Sequence, residues 1–329
     1  MATVYFTNNA ASGTNSLADV YSRASDGDVI VPDPALGTPV VITNSVTLRR
    51  ADSSGAVTIS GDIVFKLSSE TARLVAYAST NFIGVTFTGS DRSATPSMTR
   101  SLIVFTGDAT VSSFDRCVFA GTRACGEVGI IARGDAYETT TFLNCAFLGL
   151  SGVEDVMSFL VYPAGKARAV NCSFVGILDA SINILSKDMV DCKTDATDLV
   201  VPPPADWSAS TWTPDAWRDW NPHILSGSAD ARGYNSAGER YDIDGNPRVN
   251  GTLGAFETID AELYWVGKDS QGEEVTEPSL DSAAGWSTDR FAENGFDDSD
   301  WTTPSTSALS LYGGTDATSP SSSLTRTRL

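Results

Sequence analysis

The chain has 329 residues, 41% of them hydrophobic, and a formal net charge of −19. That length suits one elongated domain with a smaller module beside it. The charge argues against nucleic acid and against anionic membrane surfaces, which both need clustered Lys and Arg, and no apolar run reaches the roughly 18 residues of a membrane-spanning helix.

Residues 1–7 enter a strand-like pattern at once, with neither the basic nor the apolar segment of a signal peptide. Two readings are expected: either a leader has been removed, or the protein reaches the outside without one, as virion proteins do on lysis. Next, Leu17, Val20, Tyr21 and Ala24 make an apolar stripe at helical spacing. Ser16 with Asp19 three positions on resembles a capping box, with Asp in place of Glu. A helix near 16–25 is predicted, stopped at Asp26-Gly27, with a strand starting at Asp28.

A repeated phrase follows. It occurs at 84–89, 116–121, 144–149 and 171–176, with a weaker copy at 191–194. Its phenylalanines, Phe87, Phe119, Phe147 and Phe174, are 32, 28 and 27 residues apart. Two positions before each stands Val85, Cys117, Cys145 or Cys172, so the pair shares one strand face. Cys192 opens the fifth copy. Before these stand Gly84, Arg116, Asn144, Asn171 and Asp191. Gly, Asn and Asp tolerate a left-handed bend; Arg116 does not fit that rule.

Short apolar segments at 102–105, 128–131, 159–162 and 182–185 lie between the copies, where crossover helices would be needed for a βαβ fold. The arrangement left is a parallel β-helix, with each repeat one coil and equivalent residues stacked about 4.8 Å apart. Cys117, Cys145 and Cys172 would form one inward ladder and the phenylalanines another. Asn144 and Asn171 could form a short amide ladder at the bend. The helix near 16–25 would then close the open first coil. Stacked cysteines point the same way and do not meet, so free, buried thiols are expected. The chain lacks a C-x-x-C pair and has one histidine, His223, which leaves little basis for a cysteine metal site.

With its start at 16–19 and 26–30, the chain resembles pectate-lyase-like β-helix proteins. The resemblance implies an all-β, single-stranded right-handed parallel β-helix with an N-terminal capping helix and a small C-terminal β-rich or irregular module.

All seven tryptophans lie beyond residue 205, and the net charge divides there into −6 before and −13 after. Pro202-Pro203-Pro204 marks the boundary. The domains expected are 1–205, the β-helix; 206–258, its C-terminal cap; and 259–329, an acidic arm or small module containing aromatics. Asp242-Ile243-Asp244-Gly245-Asn246-Pro247-Arg248 and Gly254-Ala255-Phe256-Glu257 resemble the ending of bacterial surface β-helix proteins with a choice-of-anchor Q type domain. That resemblance implies an exported, surface-located fold; it does not speak to an activity. Asp242, Asp244 and Asn246 alternate around Gly245 as oxygen ligands do around Ca²⁺. The other reading is a polar turn with Arg248 pairing to a carboxylate.

Catalysis finds little to build on. A glycosidase needs two facing carboxylates, and Asp62, Asp115, Glu138 and Asp191 do not recur at one ladder position. His223 reads as a lone loop histidine. The expectation is a non-enzymatic structural protein of an extracellular assembly, most simply a phage virion component: a capsid decoration, fibre or tailspike-like appendage. It would be homo-oligomeric or bound to other assembly proteins. Trp207, Trp212, Trp217, Trp265, Trp286 and Trp301 are its candidate interface anchors. The alternatives are a polysaccharide lyase or glycosidase and a non-catalytic glycan-binding adhesin.

Overall fold

The computed structural model describes residues 1–51, 55–93, 101–124, 130–133, 140–152, 161–162, 167–178, 188–194, 196, 198–225, 228, 241–246 and 252–257, with the backbone of 267–268 and 274–275. The chain divides into two units, Met1–Thr258 and Ile259–Leu329. In the second, Gly267–Lys268 pairs antiparallel with Glu274–Val275. Trp265, Trp286 and Trp301 lie outside the described residues, as do Cys125 and Arg248.

The first unit is a parallel β-solenoid of about five turns. Its first ladder joins β1 (Thr3–Phe6), β2 (Val29–Pro32), β5 (Val57–Lys66), β6 (Leu74–Thr88), β7 (Ile103–Asp115), β10 (Thr140–Leu143), β13 (Ala167–Val170) and β15 (Met189–Val190). The long strands β5 and β6 bend and contribute to a second ladder with β3 (Val40–Ile42), β8 (Val118–Ala120), β11 (Ala146–Leu148) and β14 (Ser173–Val175). A third joins β4 (Val46–Leu48), β6, β7, β9 (Ile131–Arg133) and β12 (Val161–Tyr162).

The bends follow from the residues at them. Arg116, Asn144, Asn171 and Asp191 all have φ of 50–52°. Gly84 opens the series at 66°. Each residue turns the chain from the first ladder into the second. Gly121, Gly149 and Gly176 make the next corner at 57–62°.

Side chains then stack by register. Phe65, Phe87, Phe119, Phe147 and Phe174 form one column, with successive centroids 5.3, 5.2, 5.1 and 4.6 Å apart. Phe82, Phe114 and Phe142 form a second column, at 5.2 and 5.4 Å. The two columns meet edge-to-face at 5.1–5.7 Å, the arrangement a ring quadrupole favours.

Val85, Cys117, Cys145 and Cys172 are fully buried beside them. Cys117, Cys145, Cys172 and Cys192 are unbridged. The Cys117 thiol donates to the Phe82 carbonyl of the preceding coil at 3.5 Å, and Cys145 to that of Phe114 at 3.4 Å. Burial pushes the Cys145 thiol well above the ordinary range, with Cys117 and Cys172 adding to the shift. The column ends at Cys192, which is half-buried and accepts the Cys172 N–H.

Helix α1 spans Leu17–Arg23 and is capped by Ser16, whose side chain accepts the Asp19 N–H. Leu17, Val20 and Tyr21 join the same core as the columns, and the Tyr21 hydroxyl lies 2.7 Å from Thr80 Oγ1.

Candidate functional site

The strands β8, β11 and β14 read Val-Phe-Ala, Ala-Phe-Leu and Ser-Phe-Val, and every residue in them is buried. The phenylalanines face inward. The alternate residues Val118, Ala120, Ala146, Leu148 and Val175 face outward, onto a second apolar cluster with Ala196, Leu199, Trp220, Ile224 and Ala255. Strands apolar on both faces belong to sheets covered on both sides. Here the cover comes from the chain's own Ala196, Leu199, Trp207, Trp217, Trp220, Ile224, Ile243, Ala255 and Phe256.

The corner glycines make that cover possible. A Cβ on Gly121 would lie 1.9 Å from the Pro214 carbonyl oxygen, and one on Gly176 2.7 Å from the Trp220 ring. These positions therefore combine a left-handed φ with close approach of a second layer. Trp212 is buried and donates its indole N–H to the Gly149 carbonyl at 2.9 Å. Trp207 does the same to Gly176 at 3.4 Å, and meets Trp220 edge-on at 5.0 Å. Trp217 packs against the same cluster. Trp207, Trp212 and Trp217, expected to anchor a partner, are thus engaged within the chain.

Beyond the tryptophans, β16 (Leu199–Val201) pairs antiparallel with β17 (Asn221–Ile224). His223 sits on β17 with 7% of its surface exposed, a buried strand residue where the sequence reading expected an exposed loop residue. Its flank explains the orientation. Asn221 Oδ1 accepts the His223 backbone N–H at 3.2 Å and lies 2.7 Å from Nδ1. An amide oxygen only accepts, so Nδ1 carries a proton.

The loop 241–246 meets this imidazole. Asp242 is 2% exposed and anchors the loop. It accepts the Asn246 backbone N–H at 2.6 Å, the Asn246 side-chain amide at 3.0 Å and the Glu257 N–H at 2.9 Å. Glu257, also buried, bonds Thr252 through its carboxylate. Asp244 points the other way, with Oδ2 3.2 Å from His223 Nε2. One ligand atom each from His223, Asp242 and Asp244 falls within 4.8 Å of the others. Of the oxygen ligands expected from sequence, Asp242 and Asp244 converge. Asn246 instead spends its amide holding Asp242, and His223 takes the third place. Asp62, an exposed residue on the bulged strand β5, has its carboxyl raised above the usual range by partial loss of water and then by the Asp244 carboxylate.

The loop is tied to the bend ladder. The Asn144 amide donates to Asp115 Oδ1 at 2.9 Å, and Asn171 donates to Asn144 Oδ1 at 2.9 Å. Asn171 also donates to the Thr252 carbonyl at 3.0 Å, while its own carbonyl accepts from Gly254 at 3.0 Å. Arg116 reaches the Tyr241 carbonyl at 3.2 Å. That contact accounts for an arginine at a bend position: its side chain is used outside the solenoid.

No family model matches the chain, and neither a curated protein nor a solved structure matches it.

Proposed function

We propose that this chain is a non-enzymatic structural protein of an extracellular assembly, and that a phage virion is the assembly: a capsid decoration, fibre or tailspike-like appendage. The observation that supports the reading is the pair of phenylalanine columns running with the Asp115–Asn144–Asn171 ladder. Side chains bond each coil to the next in addition to the backbone, so a load on one coil passes along the stack. The pectate-lyase-like start and the choice-of-anchor-like ending fit a surface role of this kind, with α1 closing the first coil. Because Trp207 and Trp212 are used internally, the contacts to other assembly proteins or to further copies fall on other surfaces.

Light scattering on the purified chain, with electron microscopy of native particles labelled for it, tests the reading. An oligomer, or label on a particle, is the expected result. A monomer at high concentration that labels no particle overturns it.

One observation favours a polysaccharide-acting enzyme as the second reading: the Asp62 carboxyl is raised above its usual range, first by partial loss of water and then by the Asp244 carboxylate. Turnover of neutral or acidic glycans, lost in Asp62→Asn, would establish it. The third reading, a glycan-binding adhesin, would show as binding without turnover.

A further inference from the structure

Three electron-pair donors meet at the edge of the outer layer. With Nδ1–H donated to Asn221, Nε2 is the ring atom left to meet another partner. That atom is buried and makes no hydrogen bond. It faces Asp244 Oδ2 at 3.2 Å, with Asp242 alongside. An Nε2 lone pair and carboxylate oxygens do not satisfy one another, so a positive charge, a metal ion or a proton, belongs between them. We propose that His223, Asp242 and Asp244 bind one divalent cation of the zinc class, and that the cation pins the loop 241–246 to strand β17.

The donor set selects the class. Calcium takes six to eight oxygens and no imidazole, whereas zinc and its first-row neighbours accept one nitrogen with carboxylates. Bond lengths of about 2.0–2.1 Å put neighbouring tetrahedral ligands about 3.3 Å apart, and the Nε2–Oδ2 separation is 3.2 Å. The two inner ligands are each held by further hydrogen bonds. Asn221 fixes the imidazole tautomer, and Asn246 with the Glu257 N–H orients Asp242. Asp244 is 51% exposed on its side chain, so the remaining coordination position opens to water.

The test uses the full chain without a histidine tag, stripped with chelator. His223 is its one histidine, so a ¹⁵N-imidazole spectrum reports on this site alone. One equivalent of ZnCl₂ should move the Nε2 resonance and leave Nδ1 protonated. At a hundredfold excess over Kd, zinc should shift the unfolding equilibrium about 100-fold toward the native state. CaCl₂ at the same concentration should do neither. Asp244→Asn, whose side chain is half exposed and whose loss threatens folding least, should weaken zinc at least tenfold. Three results overturn the proposal: no zinc uptake at millimolar concentration, zinc uptake with an unmoved imidazole (which would place the metal on thiols), or unchanged affinity in Asp244→Asn. Calcium binding ahead of zinc would overturn the assigned class. An imidazole protonated at both nitrogens at neutral pH and indifferent to zinc would identify the charge between the carboxylates as a proton.

Discussion

Replacing Asn144 separates the two reasons for its presence. It is 2% exposed with φ of 51°, donates to Asp115 and accepts from Asn171. Asn144→Gly keeps the backbone freedom and deletes both hydrogen bonds. At about 1 kcal/mol for each bond the cost is about 2 kcal/mol. Added freedom of the unfolded chain raises that by about 0.5 kcal/mol. Asn144→Ala deletes the same bonds and forces a Cβ into the left-handed region, which adds about 1–2 kcal/mol. Alanine should therefore be the worse substitution by about 1 kcal/mol. Asn144→Asp keeps an acceptor for Asn171 but sets a carboxylate against that of Asp115, and should be worse than glycine as well. Urea unfolding at constant m-value measures all three. If alanine and glycine cost the same, the left-handed bend is not what the position selects for. If both cost under about 0.5 kcal/mol, the ladder contributes nothing beyond the backbone sheet.

Three further outcomes are expected. Phe119→Ala empties a ring stacked between Phe87 and Phe147 and should cost about 3–5 kcal/mol by urea unfolding, against under about 1.5 kcal/mol for Phe119→Leu. Trp212→Phe keeps most of the apolar contact but removes the N–H given to the Gly149 carbonyl; about 1–2 kcal/mol is lost, and limited proteolysis should cut within 206–225 before it cuts the solenoid. Hydrogen bonds from the Ser25 N–H and then the Ala2 N–H hold the Asp28 carboxyl below its ordinary value. A depressed native pKa gives stability that is present above the unfolded value of about 3.9 and lost as pH falls through the native one; the acid limb of the stability–pH curve should be shallower in Asp28→Asn.

The solenoid was legible because its signal repeats. A spacing of 27–32 residues between phenylalanines, with a bend former three positions earlier, recurs often enough to override any single ambiguity. The second phenylalanine column was harder to see, because Phe82, Phe114 and Phe142 each stand two residues before the bend, on the first ladder and not the second. The outer layer left a signal that is easy to underread: Ala146-Phe147-Leu148 is apolar at every position, which a sheet exposed on one face would not be. Arg92 gave no sequence signal at all. Its burial follows from the 67–72 turn, whose carbonyls of Leu67, Ser69, Glu70 and Ala72 it collects, and that loss of water lowers its pKa to about 10. His223 was invisible for a similar reason. Its partners Asp242 and Asp244 are close in sequence to each other but not to it, and only the crossing of the outer layer brings them together.

That crossing gives the two layers different folding demands. Within the solenoid, stacked partners such as Asn144 and Asn171 are 27 residues apart, one coil closing on the last. Contacts from the outer layer span far more chain: 63 residues between Trp212 and Gly149, 81 between Asn171 and Thr252, and 125 between Arg116 and Tyr241. Loop-closure entropy grows with such separations. Most of the outer layer's targets are solenoid features, namely the corner glycines, the asparagine bend and the backs of β8, β11 and β14. None of these exists until the coils have stacked. The expected order is therefore solenoid first and outer layer second, the layer burying the apolar backs of those three strands as it docks. The loop around Asp242 is held by Ile243 against the outer cluster and by hydrogen bonds from Asn246 and the Glu257 N–H to Asp242. A cation bound between that loop and His223 would join two parts of the outer layer and touch none of the phenylalanine columns, so its removal should loosen the outer layer while the columns remain intact.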